Sequence, residues 1–81
     1  MAPVPAASWD LALSRARRID INAASGAELE RLPGVGPALA SRIIAYRQSA
    51  GPFATAEGLR EVPGIGPKTF EALRDYVSVD G

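Results

Sequence analysis

The segment Leu32-Pro33-Gly34-Val35-Gly36-Pro37 returns as Val62-Pro63-Gly64-Ile65-Gly66-Pro67, thirty residues later. A repeat at fixed spacing in so short a chain constrains the fold tightly, because each copy must take up one supersecondary shape and bury its apolar face against the other. The match extends outward from the loops: at the same offset Ala24 aligns with Ala54, Ser25 with Thr55, Leu29 with Leu59, Ile43 with Leu73 and Tyr46 with Tyr76. Two copies of one unit fill most of an 81-residue chain. That length holds one small domain and excludes a two-domain enzyme.

Each copy reads as helix, tight loop, helix. In the first, Ser25 followed by Glu28 forms a capping box, Leu29 and Leu32 make the inner face of a short helix ending at Pro33-Gly34, and Gly36-Pro37 opens a second helix. Proline suits that first helical position because the amide it lacks had no partner there. The second helix runs to about Gln48, with Leu39, Ile43 and Tyr46 at helical spacing and Ala40 and Ile44 widening the apolar face, until Gly51-Pro52 stops it. In the second copy Thr55 caps a helix through Leu59 and Val62 that Gly58 weakens, and Pro67 opens another with Phe70, Leu73 and Val77 on one side. Tyr46 and Tyr76 fall at the same helical place, as packing positions would. Short helices of this kind are marginal alone, so the two units must share one core.

Ahead of the repeat, residues 1–18 read as a tail or linker, with the Pro- and Ala-rich MAPVPAAS resembling a stub left by processing. Within it Ser8–Arg17 can form one more helix, whose stripe of Trp9, Ala12, Leu13 and Ala16 would lid the core. The tandem unit is assigned to residues 19–81. Its fold class is all-α, two pseudo-symmetric hairpins around one core. No stretch approaches the 18 or so apolar residues of a membrane span.

The chain has no Cys and no His, which removes disulfides, thiolate nucleophiles, imidazole bases and the usual zinc ligands together. Nine Lys and Arg balance nine Asp and Glu, so no bulk basic field exists and any binding to a polyanion must come from local geometry. Only five residues are aromatic. The core is therefore built from Leu, Ile, Val and Ala.

The loops carry the chemistry. In each, the glycines permit a tight reversal and close backbone approach while Val35 or Ile65 pins the loop to the core. What remains exposed is a helix start, where free amides and the positive end of the helix dipole suit a phosphate. With Pro37 and Pro67 lacking N–H groups, the candidate donors are Gly36, Ala38 and Leu39 in one loop and Gly66, Lys68 and Thr69 in the other, with Gly34 and Gly64 shaping the approach. Lys68 adds a mobile charge beside the second loop. Arg42, Arg47 and Arg74 follow the hairpins on their helices, either flanking a bound anion or pairing with acids. Arg15, Arg17 and Arg18 form a basic cluster that reads as a solvated face or a phosphate-facing arm.

Taken together, IDINAAS at 19–25, LERLPGVGP at 29–37, IIAYR at 43–47, GPF at 51–53 and LREVPGIGPKT at 59–69, closed by an aliphatic segment at 76–79, resemble the helix-hairpin-helix proteins. The resemblance is nearest to the ComEA-type competence DNA-binding domain. It implies two hairpins about an approximate two-fold axis, each contacting one strand of double-stranded DNA through loop amides, without reading base sequence. It also implies DNA uptake as the setting and an extracytoplasmic or periplasmic location. No cofactor is expected, although related hairpins sometimes hold a monovalent cation on loop carbonyls. Where many relatives carry lysine one or two positions after the first loop proline, this chain has Ala38 and Leu39.

Two other functions deserve weighing against that one. Glycosylases that remove damaged bases resemble the second hairpin, with a lysine where Lys68 stands, but they need a carboxylate well downstream and a second helical domain. Here Asp75 is less than two helical turns from Lys68, Asp80 lies in the tail, and no pocket can be built around them. An enzyme is therefore not expected. The same double hairpin also serves as a protein scaffold, as in an extrinsic photosystem subunit, and a neutral surface suits that alternative.

Overall fold

The structure is a computed structural model that describes residues 18–79. The helix expected over Ser8–Arg17, the Trp9 lid, and Arg15 and Arg17 of the basic cluster lie outside the described residues. In chain order the elements are β1 (Ile19–Asp20), α1 (Gly26–Leu29), α2 (Pro37–Ala50), a 3-10 segment (Ala56–Glu61), α3 (Pro67–Leu73), a 3-10 turn (Arg74–Tyr76) and β2 (Val77–Ser78).

α1 starts at the capping box. Glu28 N donates to Ser25 Oγ at 3.2 Å and Ser25 N donates to Glu28 Oε1 at 3.1 Å, pairing two amides that a helix start otherwise leaves unmet. The helix closes after four residues, so Leu32 lies beyond it, in a chain of turns. Leu32 N donates to Leu29 O at 3.0 Å and Val35 N to Leu32 O at 3.1 Å. α2 then runs from Pro37 to Ala50, two residues past its expected end, and stops at Gly51, whose φ of 92° is ordinary only for glycine.

The second unit follows the same path with two departures. Ala56–Glu61 is a 3-10 segment rather than an α-helix, and Thr55, expected to cap it, makes no side-chain cap bond. Gly58 accounts for much of this: a Cβ there would lie 3.0 Å from Phe53 Cδ1, so the buried ring takes the side-chain space and the helix loses propensity. Val77 is the other departure. It was expected on the apolar side of the last helix, but α3 ends at Leu73 and Val77 stands in β2, paired in parallel with β1, Ile19 opposite Val77 and Asp20 opposite Ser78. The β-branched pair Val77 and Val79 favours extended backbone, and Ile21 N extends the ladder by donating to Ser78 O at 3.0 Å. A parallel pair needs a long crossover. Here the crossover is the whole double hairpin.

The core is wholly apolar among the described residues and obeys the repeat. Leu29 and Leu59 are fully buried, as are Ile43 and Leu73, while Leu32 with Val62, Val35 with Ile65 and Ala40 with Phe70 complete matched layers. The architecture is therefore the expected all-α tandem hairpin with one short strand pair added. The tyrosines break the symmetry. Tyr46 packs, its ring stacked on Phe53 with centroids 5.3 Å apart and planes 15° apart, whereas Tyr76 is 40% exposed and does not fill the packing position expected of it.

Candidate functional site

Both loops are built alike. Gly34 and Gly64 have φ of 79° and 98°, the left-handed region where a Cβ is disfavoured, and they make the reversal. Val35 and Ile65 follow, buried, and hold each loop against the core. Gly36 and Gly66 are the N-cap residues of α2 and α3, with φ, ψ of −97°, −173° and −91°, 179°. That is extended backbone open to any residue, so the expectation that every loop glycine serves the reversal holds only for Gly34 and Gly64.

Beyond each N-cap the first helical bonds close from Ala40 N to Gly36 O at 2.9 Å and from Phe70 N to Gly66 O at 3.0 Å. Ala38 and Leu39, and Lys68 and Thr69, therefore sit in first turns whose amides have no carbonyl one turn back to accept from them. No side-chain cap engages either helix start, and neither first turn contains an acidic residue. The amides of Gly36, Ala38, Leu39, Gly66, Lys68 and Thr69 thus form two matched groups of unengaged donors.

The hairpins interlock. A Cβ built on Gly34 would lie 3.6 Å from Thr69 Cγ2, and one on Gly64 would lie 3.2 Å from Leu39 Cδ1. Leu39 and Thr69 are the same position in the two copies, so each loop rests on the opposite hairpin's helix start. This reciprocity fixes the two donor groups relative to each other through packed side chains.

Cations are distributed unequally over that frame. Lys68 is exposed in the first turn of α3, while Ala38 stands at the matched place in α2. Arg42, on α2, reaches across to the second loop, where its Nη1 donates to Pro63 O at 3.4 Å and stands 2.7 Å from the Cβ position of Gly64. Its counterpart in α3 is Ala72. Arg74, expected either to flank an anion or to pair with an acid, pairs with Glu71 at 3.1 Å on the surface, and with Arg60 it borders the Phe70 ring about 6 Å from its centroid. Arg47 does neither. It is half-buried and donates to Ile21 O at 3.0 Å, tying α2 to the turn after β1. Arg18 is exposed.

Sequence reasoning missed the reach of Arg42 into the second hairpin; a charged residue aligned with alanine in the other copy was the available signal. It also missed Asn22, for which no repeat signal exists. Asn22 Nδ2 donates to Phe53 O at 3.0 Å and to Val79 O at 2.9 Å, and its Oδ1 accepts from Phe53 N at 2.7 Å. No group of three or more acidic side chains that could hold a metal exists among the described residues. At the second loop the Pro63 carbonyl accepts from Arg42 Nη1 at 3.4 Å.

Two helix-loop-helix units related by a pseudo-dyad, each with glycine on both sides of a buried aliphatic, define a class of protein. The family model described as helix-hairpin-helix motif matches residues 14–78, and the chain belongs to that family. It is 44% identical over 61 residues to ComE operon protein 1 of Bacillus subtilis, which covers 75% of this chain and 30% of that protein. It is 38% identical over 63 residues to the transcriptional accessory protein Tex of Neisseria gonorrhoeae, covering 78% of this chain and 8% of that one. A human relative, S1 RNA-binding domain-containing protein 1, is 34% identical over 62 residues, 76% of this chain and 6% of the other. The chain thus spans less than a third of the length of each of these relatives.

Proposed function

We propose that the domain binds double-stranded DNA without sequence preference, each hairpin offering its unengaged amides to a phosphate of one strand, as a DNA-receiving module of the competence type. One observation carries the reading. Neither backbone conformation nor space requires glycine at positions 36 and 66: the backbone there is ordinary, and a Cβ on either would meet nothing within 4 Å. Glycine at both matched places leaves room for something outside the chain to approach the amides. Identity to ComE operon protein 1 supports DNA uptake as the setting. No side chain in either loop is set to read a base edge, which supports binding through the backbone alone. Among the described residues no nucleophile or general base stands beside a closed pocket, which supports binding over catalysis.

The zero net charge favours a second reading, a scaffold that docks another protein. Titration of the 81-residue chain with labelled duplexes of unrelated sequence at rising salt separates the two. With about two to four phosphates neutralised, log K should fall against log salt with a slope near −2 to −4. Gly36→Val and Gly66→Val should each weaken duplex binding, and more than single-strand binding, without loss of fold, since valine accepts extended backbone. Salt-insensitive binding, a sequence-specific footprint, or full affinity in both folded valine variants refutes the phosphate reading.

A further inference from the structure

Resting on the DNA reading above, we infer that a groove between α2 and the second loop, headed by Arg42, carries onward the sugar-phosphate backbone of the strand held at that loop. The groove has a volume of about 270 Å³ and is lined by Arg42, Ala45, Tyr46, Ser49 and Pro63. Four of these stand at i, i+3, i+4 and i+7 on one face of α2, a run of about 10 Å along the helix axis. That is long enough for more than one sugar-phosphate unit.

Three features select this occupant. Arg42 is the groove's charged residue, and α2 contains no acid at any of its fourteen positions. The guanidinium makes no ion pair among the described residues; it is steadied by the Pro63 carbonyl through Nη1, which leaves most of its five donors outward. A planar, anchored fork of this kind suits phosphate oxygens better than a free lysine would. The rest of the lining, Ala45, Tyr46, Ser49 and Pro63, is mostly apolar and would face the sugar edge of a strand rather than its phosphates. Ala45 leaves width, the Ser49 hydroxyl is turned back to donate to Tyr46 O at 3.4 Å, and the Tyr46 ring is stacked on Phe53, which holds that wall out of the groove. Arg42 thus belongs to the binding surface of the second hairpin although it is carried by the first.

The test is a salt-dependent duplex titration of the 81-residue chain with Arg42→Ala, Arg42→Lys, Ser49→Glu and Gln48→Glu, beside Lys68→Ala. Arg42→Ala should weaken binding about three- to tenfold at low salt and reduce the slope by about 0.9, with Arg42→Lys restoring the slope but only part of the affinity. Ser49→Glu puts a carboxylate in the groove, whereas Gln48→Glu adds the same charge to an exposed position outside the lining. Ser49→Glu should therefore cost clearly more affinity. All four positions are exposed, and thermal unfolding verifies that the variants fold. Equal losses in the two glutamate variants, or wild-type affinity and slope in Arg42→Ala while Lys68→Ala weakens binding, overturn the groove and leave the hairpin reading standing. If wild type and every variant bind duplex equally poorly, the DNA reading fails and the groove proposal falls with it.

Discussion

A methyl group on residue 36 or 66 would point into open space, whereas one on residue 34 or 64 would force an L side chain into left-handed backbone. The two glycines of each loop therefore differ in what the fold asks of them: the first answers to the left-handed backbone of the reversal, while the second answers to no such demand. Gly34→Ala and Gly64→Ala should each destabilise the domain by about 1 to 2 kcal/mol, the usual cost of a Cβ in that region. At Gly64 the added methyl also meets Arg42 Nη1 at 2.7 Å, and the flexible end of the arginine will swing off the Pro63 carbonyl. Gly36→Ala and Gly66→Ala should change stability by less than about 0.5 kcal/mol, because reduced freedom of the unfolded chain offsets the poorer N-cap. Urea unfolding of the four variants checks this directly; equal losses at all four positions would mean that the second glycines are structural too. The sequence made the motif legible, and the donors at Ala38, Leu39, Lys68 and Thr69 follow from the Gly-Pro helix starts alone. It could not separate the two glycines, since φ is a property of the folded loop and both residues read only as permissive.

Elements were most legible where local chemistry decides them, and least where another element does. The Ser25–Glu28 capping box, the proline starts of α2 and α3 and the stop at Gly51 are local, and they stand where the sequence implies. The 3-10 character of Ala56–Glu61 depends on the Phe53 ring arriving from the inter-hairpin linker, and β2 exists because β1 is beside it. Neither dependence has a periodic signature. Asn22 is the clearest case of such long-range control, since one side chain joins the turn after β1, the linker at Phe53 and the segment after β2 at Val79. Asn22→Ala leaves one amide and two carbonyls without their partner in half-buried surroundings, and should cost about 2 to 3 kcal/mol. Asn22→Asp should be no milder, because it keeps the acceptor for Phe53 N but turns oxygen toward the two carbonyls. Hydrogen exchange should show the loss concentrated at Phe53 and across the β1–β2 pair; a stability within 0.5 kcal/mol of wild type, about the size of a neutral surface change, would show the clip to be incidental.

Among the described residues the two hairpins repeat each other's packing while their charges do not. Leu39 and Thr69 lock each loop to the opposite helix start, so geometry alone would treat two bound strands alike. The second loop, however, has Lys68 in its own helix and Arg42 from across the dyad, where the first has Ala38 and Ala72. If both loops face phosphates, the first relies on amides and the second on amides with two cations, and the strand at the second hairpin is held more firmly. Restoring the symmetry tests the arrangement as a unit. Ala38 and Ala72 are exposed, so Ala38→Lys with Ala72→Arg should fold normally, losing about 0.3 to 1 kcal/mol at most from a cation at the start of α2. Duplex affinity should rise about tenfold at low salt, and the salt slope should steepen by up to about 1.8, two released counterions at 0.9 each. Added charge raises affinity for any polyanion, so the comparison is with Ala27→Lys and Ala54→Lys, exposed positions outside both loops that bring the same net change. A strand at the first hairpin predicts a larger gain from the loop pair than from that control, and a larger gain on duplex than on single strand, because only a duplex engages both hairpins. Equal gains from the two pairs would mean that the first hairpin faces no phosphate, leaving the second hairpin as the one DNA-bearing half of a symmetric fold.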